Sequence, residues 1–557
     1  MIALRLRALA ACTTALVLAG CQTFGYLGPR PVLAVVNARI WTGVEARPWV
    51  EAMAVDSAGR IASVGTTAQI AGLGAVTVID AKGQMVVPGF IDAHVHFVDA
   101  GFALSSVQLR DAMTRAEFIT RIRDHARTLP RGAWITNGDW DHTSWGGELP
   151  RRDWIDSVTA DNPVWINRLD GHMSLANTRA LTAAGLTRMQ ADVTGGEVVR
   201  DAATGELTGV LKDNAMSLLD RALPVPPASL ADRALDTAMA HVASYGVTSV
   251  HNMGSWRDVE VFERARAAGR LRTRIYAVTP LGEWQRLRDT VAVRGRGDDF
   301  LRIGGLKGFV DGSLGSHTAA MYDGFTDRPS DKGLFVTPPE SLYAWTLGAD
   351  KAGLQVLVHA IGDRAIGTQL DVFQRVAREN GARDRRFRIE HAQHIAARDL
   401  GRFGRQDVIA SMQPYHAIDD GRWADQVIGA DRAARTYAFR SLLDAKGPLA
   451  FGSDWFVAPP RPLEGIYAAV TRRTLDAKHP GGWVPQQKIT VDEALSAYTR
   501  GSAYAGFDEA NRGTLDVGML ADFAILDRDI TSIAPEALRT VRVMRTVVGG
   551  RTVFERK

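Results

Sequence analysis

The sequence predicts an α/β protein: a (β/α)8 TIM-like barrel with a large insertion after strand one, beside a small β-sandwich built from both chain ends. Three observations carry this. Eight short apolar runs recur between residues 90 and 454, several of them separated by helical stretches. The two ends of the chain read instead as short strands joined by turns. Finally, His94-Val95-His96 closes the first apolar run, at the end where a parallel barrel gathers its functional groups.

Taken in order, the chain opens on a leader. Arg5 and Arg7 precede an apolar run over residues 9–18, and Leu18-Ala19-Gly20-Cys21 follows. The run is too short to span a bilayer and resembles a bacterial lipoprotein signal. Residues 1–20 are expected to be removed and Cys21 lipidated, with 21–31 as a tether. The expected address is the periplasm, at the outer membrane, with the lipid as the sole membrane contact. Cys12 would leave with the leader, so the mature chain has no internal disulfide and no cysteine to act as a ligand or nucleophile. The net charge of +4 comes without any Lys/Arg block, so nothing supports nucleic-acid binding.

Residues 32–87 read as the first part of the sandwich, with strands near 32–42, 52–55 and 61–64 and a turn at Asp56-Ser57-Ala58-Gly59. Residues 506–557 form its second part, with strands near 520–526 and 541–548 and a turn at Gly549-Gly550. The barrel occupies 88–505. Its strands are placed at 90–96, 247–252, 273–279, 306–310, 355–359, 388–391, 408–412 and 449–454. Residues 99–240 are too many for one crossover and are expected to form an inserted subdomain over the barrel mouth.

With the strands placed, chemistry-bearing residues collect at one end. His94 and His96 close strand one, with i and i+2 on the same face. Lys307 lies in strand four, and His359, His391 and Asp454 end strands five, six and eight. Any one of them alone would be an ordinary cap or hydrogen-bond partner; six at one end point to a divalent metal, zinc or a neighbour. An ion there lowers the pKa of a water toward about 7. Asp454, touching both, is placed to carry a proton to a leaving group. His394 is a rival for His391 but lies three residues beyond the strand end.

The chain resembles the amidohydrolase superfamily, and within it the YtcJ-like (amidohydrolase 3) branch. The resemblance rests on Gly89-Phe90-Ile91-Asp92-Ala93-His94-Val95-His96, Asp170-Gly171-His172, the run from Lys307 to Ser316, Val358-His359-Ala360-Ile361-Gly362-Asp363, Ile389-Glu390-His391-Ala392-Gln393, Phe451-Gly452-Ser453-Asp454 and Gly513-Thr514-Leu515. It implies one or two ions: His94, His96 and Asp454 on the more buried one, His359 and His391 on the second, with a carboxylated Lys307 bridging them.

The expected activity is hydrolysis of an amide or N-acyl C–N bond in a small molecule. The same residues would also serve a lactone, ester or phosphotriester, and a barrel without turnover would be a surface-anchored binding protein. None of the six ligand candidates is missing, which weighs against the last. His172 is a candidate to polarise a carbonyl from the insertion. Trp140 and Asp141 in the insertion, Asp311 and Ser313 after strand four, and His251 at the end of strand two are expected to line the substrate pocket.

Overall fold

The computed structural model describes residues 29–557; the leader and Cys21 lie outside the described residues. Eight parallel strands form the central sheet: Phe90–Val95, Val247–Met253, Arg274–Pro280, Leu301–Phe309, Gln355–Ala360, Arg388–His391, Ile409–Met412 and Leu449–Phe451. Each pairs with the next in sequence, and the first and last meet through a parallel bridge between Val95 and Trp455. Backbone bonds from His96 N to Trp455 O (2.7 Å) and from Asp454 N to His94 O (2.7 Å) close the ring where the ligand candidates sit. The sequence is legible as a barrel because its strands are covered on both faces. Every residue of Gln355–Ala360 and of Val247–Met253 is buried, so apolar residues are not confined to one face, although Thr248, Ser249, His251 and Asn252 interrupt the second of these strands.

The helices follow from amphipathic spacing. Asp363–Asn380 buries Ile366, Leu370, Phe373 and Val376 against the barrel, places Asp363 in its first turn, where the helix dipole favours a negative charge, and stops at Gly381 (φ 76°). Strand four begins at Leu301, earlier than expected, because Gly304 and Gly305 lie inside it and carry no strand signal. Strand eight ends at Phe451, and Asp454 sits beyond it in a tight turn with φ 62°. A Cβ on Gly452 would lie 2.6 Å from the His94 backbone nitrogen, so this close crossing requires glycine.

Within 99–240, a five-stranded sheet runs in the order Gly196–Arg200, Leu207–Asp213, Met173–Ala176, Val164–Asn167 and Ile135–Thr136. It has its own core, including Phe118, Ile122, Trp140, Ile166 and Val210. Helix Ala228–Ala243 belongs elsewhere: Leu235, Ala238, Met239 and Val242 pack in the barrel core with Phe97 and Val98. It is the crossover into strand two. The two chain ends form two further sheets, one of four strands and one of six, around a shared core of Val35, Ile40, Met53, Val86, Phe523, Ile525 and Val547. No helix of the described residues is long and apolar enough to cross a membrane.

Candidate metal centre

The six ligand candidates converge at the C-terminal end of the barrel. His94 is fully buried and donates from Nδ1 to Glu390 Oε2 (2.6 Å), which leaves Nε2 as its lone-pair atom. Glu390 is itself held by Arg388 Nε at 2.8 Å. His94 Nε2 lies 3.5 Å from Asp454 Oδ1, and His96 Nε2 lies 3.3 Å from the same oxygen. Lys307 Nζ reaches within 3.3 Å of His94 Nε2. His391 donates from Nδ1 to Gln413 Oε1 (2.8 Å), and its ring centre stands 4.8 Å from that of His94 and 4.6 Å from that of His359. His359 donates from Nε2 to the Gly312 carbonyl (3.0 Å).

The donor set fits a divalent cation. Asp454 Oδ1 is buried without a hydrogen bond, although two imidazole nitrogens face it. An orphaned buried carboxylate oxygen is costly unless something binds it. Burial, aided by the nearby Lys307 amine, pushes the His94 imidazole down to about 4. Burial also holds His359 and His391 well below their ordinary value, so all three rings are neutral and able to coordinate near pH 7. Burial would raise the Asp454 carboxyl, but the facing imidazoles of His94, His391 and His96 outweigh it and hold it low. Burial likewise lowers the Lys307 ammonium to about 8 against the pull of Glu390 and Asp454.

The mouth beside this cluster is a small polar pocket of about 50 Å³, lined by residues of the barrel loops and of the insertion. His172 reaches in from the insertion and lines it beside His359, the two ring centres 4.8 Å apart. Its Nδ1 donates to Asp213 Oδ1 (2.7 Å). Burial alone would lower this imidazole, but the hydrogen bond and charge of Asp213, with Asp170 and Asp311 nearby, raise it instead. Ser313 lines the pocket and donates to Asp170. Asp141 lines it too, paired with the buried Arg168 guanidinium (3.1 Å).

Three expected pocket residues lie elsewhere. Trp140 is fully buried in the insertion core and donates from Nε1 to the Ile166 carbonyl (2.9 Å). Asp311 is wholly buried and accepts from the backbone of Ala320, Ile361 and Gly362 at 2.8–3.0 Å, tying two loops together. Burial pushes its carboxyl up to about 7 despite those donors. His251 does not reach the mouth. It accepts from Arg388 at 2.9 Å and packs on Tyr276, a layer below Met253 on the same strand. His394, the rival ligand, bonds Thr436 Oγ1 at 2.8 Å in the following loop and stays out of the cluster.

One residue was not anticipated. His416, on the helix Pro414–Asp420 after strand seven, lines the pocket and forms a second potential ligand group with His391 and Asp454. Its Nε2 is buried with no hydrogen-bond partner. A scan of the loops beyond the strand ends, rather than of the ends alone, would have found it.

A (β/α)8 barrel whose mouth brings histidines, an aspartate and a lysine together in this way is a metal-dependent hydrolase. The chain belongs to the amidohydrolase family, whose model matches residues 77–554. It is 39% identical over 539 residues to Protein LONG AFTER FAR-RED 3 of Arabidopsis thaliana, covering 94% of this chain and 91% of that one. It is 31% identical to the N-substituted formamide deformylase of Arthrobacter pascens, covering 94% of this chain and 98% of the relative. Among solved structures, an uncharacterized metal-dependent hydrolase from Pyrococcus horikoshii OT3 superposes with a TM-score of 0.73 at 27% identity, over 90% of this chain and 99% of that chain.

Proposed function

We propose that the protein hydrolyses the C–N bond of an N-substituted amide, releasing a carboxylic acid and an amine. The observation that carries this is the convergence of His94, His96 and His391 on Asp454, whose Oδ1 is left open. The similarity to a deformylase of N-substituted formamides, over nearly the whole length of both chains, supports an amide over an ester or phosphotriester. His94, His96 and Asp454 would hold one ion, His359 and His391 a second, and Lys307 would bridge them as its carbamate. Zinc suits this nitrogen and oxygen set. The ion supplies Lewis acidity and a water of lowered pKa.

The remaining work falls to the chain itself. The Asp454 carboxylate takes the proton of the attacking water and returns it to the departing nitrogen, so that the amine leaves neutral. His172, its Nδ1 held by Asp213, presents Nε2–H to the carbonyl oxygen as charge develops there. The hydrogen bond and charge of Asp213 raise this imidazole and so favour the protonated form that carries Nε2–H. Lys307, lowered by burial to about 8, holds more free amine at neutral pH than an ordinary lysine, and the free amine is the form that adds carbon dioxide. Cys21 would tether the enzyme to the outer membrane; loss of membrane partitioning in Cys21→Ala tests this.

The test of function is metal analysis of the purified protein followed by a panel of N-substituted formamides, acyl-amino acids, lactones and phosphotriesters. Amide hydrolysis that disappears on chelation and returns with zinc is expected. Turnover of the esters alone would replace the amide reading, and full activity in demonstrably metal-free protein would end it.

A further inference from the structure

A second cleft lies beside the ligand cluster, with Lys307 in its lining, and shares no lining residue with the polar pocket. It encloses about 670 Å³, against about 50 Å³ for the pocket beneath the insertion. Its walls come from the C-terminal ends of four successive strands and their loops. Phe102 follows strand one, Gly254 follows strand two, Pro280 ends strand three and Phe309 ends strand four, with Val225 as an overhang from the insertion side. Lys307 belongs to both places: its Nζ is 3.3 Å from His94 Nε2, and the residue lines the cleft.

Phe309 is the shared wall. It follows Lys307 by two residues on the same strand, its ring lies 4.9 Å from Lys307 Nζ, and its centre is 5.4 Å from that of His359. Phe309 is 37% exposed and Val225 62% exposed. Large apolar side chains left open to solvent beside a functional centre mark a ligand surface. Charge of neither sign fills the lining: Arg257 and Arg264 stand among Asp99, Asp258 and Glu260.

We infer that this cleft takes the substrate's N-substituent, an uncharged apolar aryl or alkyl group, while the small polar pocket takes a short acyl group such as formyl. The inference rests on the amide-hydrolase reading and refines it: small acyl half, large hydrocarbon amine half, scissile bond between the two cavities.

The experiment compares kcat/KM for N-methyl-, N-butyl- and N-benzylformamide in the zinc-loaded protein, with Ala231→Trp narrowing the cleft. Wild type should prefer the benzyl over the methyl compound by about 10-fold or more, the scale at which apolar pockets discriminate size. Ala231→Trp should cut that preference by at least about 10-fold. Because Ala231 lies on a helix and a tryptophan there can disturb folding, Val225→Trp in the preceding loop is made in parallel. A benzyl-to-methyl ratio that stays put in folded, metal-replete variants would overturn the assignment. Binding of benzyl alcohol, followed by ligand-observed NMR, is the readout independent of turnover. If wild type binds it and the two variants weaken it about 10-fold, the cleft stands even when no amide is cleaved and the hydrolase reading alone has failed. If wild type does not bind it, the cleft assignment falls whatever the activity.

Discussion

Two buried carboxylates, one at each end of the barrel, are treated in opposite ways. At the junction with the sandwich, Asp522 accepts from Arg274 Nε (2.6 Å), from Arg274 Nη2 (2.9 Å) and from the Gly549 backbone (2.7 Å). At the mouth, Asp454 Oδ1 is buried without a hydrogen bond and faces imidazole nitrogens at 3.3 and 3.5 Å. A buried ion with both oxygens hydrogen-bonded holds two layers together. One left open among neutral nitrogens is built to receive something. The difference separates residues whose loss costs activity from residues whose loss costs the fold.

The largest effect should come at the mouth. Asp454→Asn keeps an oxygen ligand and the side-chain shape but removes basicity. Turnover should fall by about 10² to 10⁴, the usual worth of general acid–base catalysis, while metal content measured by elemental analysis largely persists. Retained activity would move the proton to another group, and His172 is the next to test. Lys307→Ala should behave differently, losing metal together with rate, and a short carboxylic acid should restore part of both.

At the junction the expected loss is of stability. Arg274→Ala strands the buried Asp522 charge, which typically costs about 3–5 kcal/mol, read from denaturant unfolding. Metal stoichiometry and kcat of the protein that remains folded should hold. The double change Arg274→Met with Asp522→Leu should recover most of the loss, because no charge is left unpaired. Acid gives the same comparison without mutation. Burial would raise the Asp522 carboxyl, but the Arg274 charge and hydrogen bonds lower it below its unfolded value. A depressed carboxylate contributes its full stability above the unfolded pKa of about 4 and loses it as pH falls toward the folded pKa. Unfolding free energy should therefore decline below about pH 4 in the wild type and less steeply in Asp522→Asn.

A smaller change sharpens the mouth side. Glu390→Gln leaves every proposed ligand in place but weakens the 2.6 Å bond that orients His94. Partners of this kind are typically worth about 10–100-fold in metal affinity, measured by competition with a chelator. Unaltered affinity would mean that His94 is oriented by packing alone.

How far the sequence reached depended on what each signal encodes. Strand positions were legible where short apolar runs survive burial on both faces, as in Val356-Leu357-Val358, and the ligand candidates followed because they sit at or near strand ends. The start of strand four was hidden by Gly304 and Gly305, which have no strand propensity of their own. His251 was misplaced because period-two alternation gives the face of a strand and not the depth. Ser249, His251 and Met253 share an inward face, and only Met253 lines the mouth cleft. Asp311 looked like a ligand-side acid, yet its oxygens are used by three backbone donors, Ala320 in its own loop and Ile361 and Gly362 in a loop distant in sequence. Such pairing emerges only once the chain is folded.

The smallest predicted effect separates two neighbours that the sequence could not tell apart. Trp140 and Asp141 are adjacent in one loop, but the first points into the insertion core and the second into the polar pocket. Trp140→Phe keeps most of the ring's packing and removes the 2.9 Å bond to the Ile166 carbonyl. The net cost should be about 1 kcal/mol of stability, with kcat/KM unmoved. Asp141→Asn instead withdraws a charge from the buried Arg168, which Asp170 also holds at 2.6 Å. Arg168 abuts Gly315, where an added Cβ would lie 2.3 Å from its Nη1, so a shift of the guanidinium presses on the pocket wall. The effect should appear in KM before it appears in unfolding. Were Trp140→Phe to change KM and Asp141→Asn only stability, the two side chains would have exchanged roles and the pocket lining beneath the insertion would have to be redrawn.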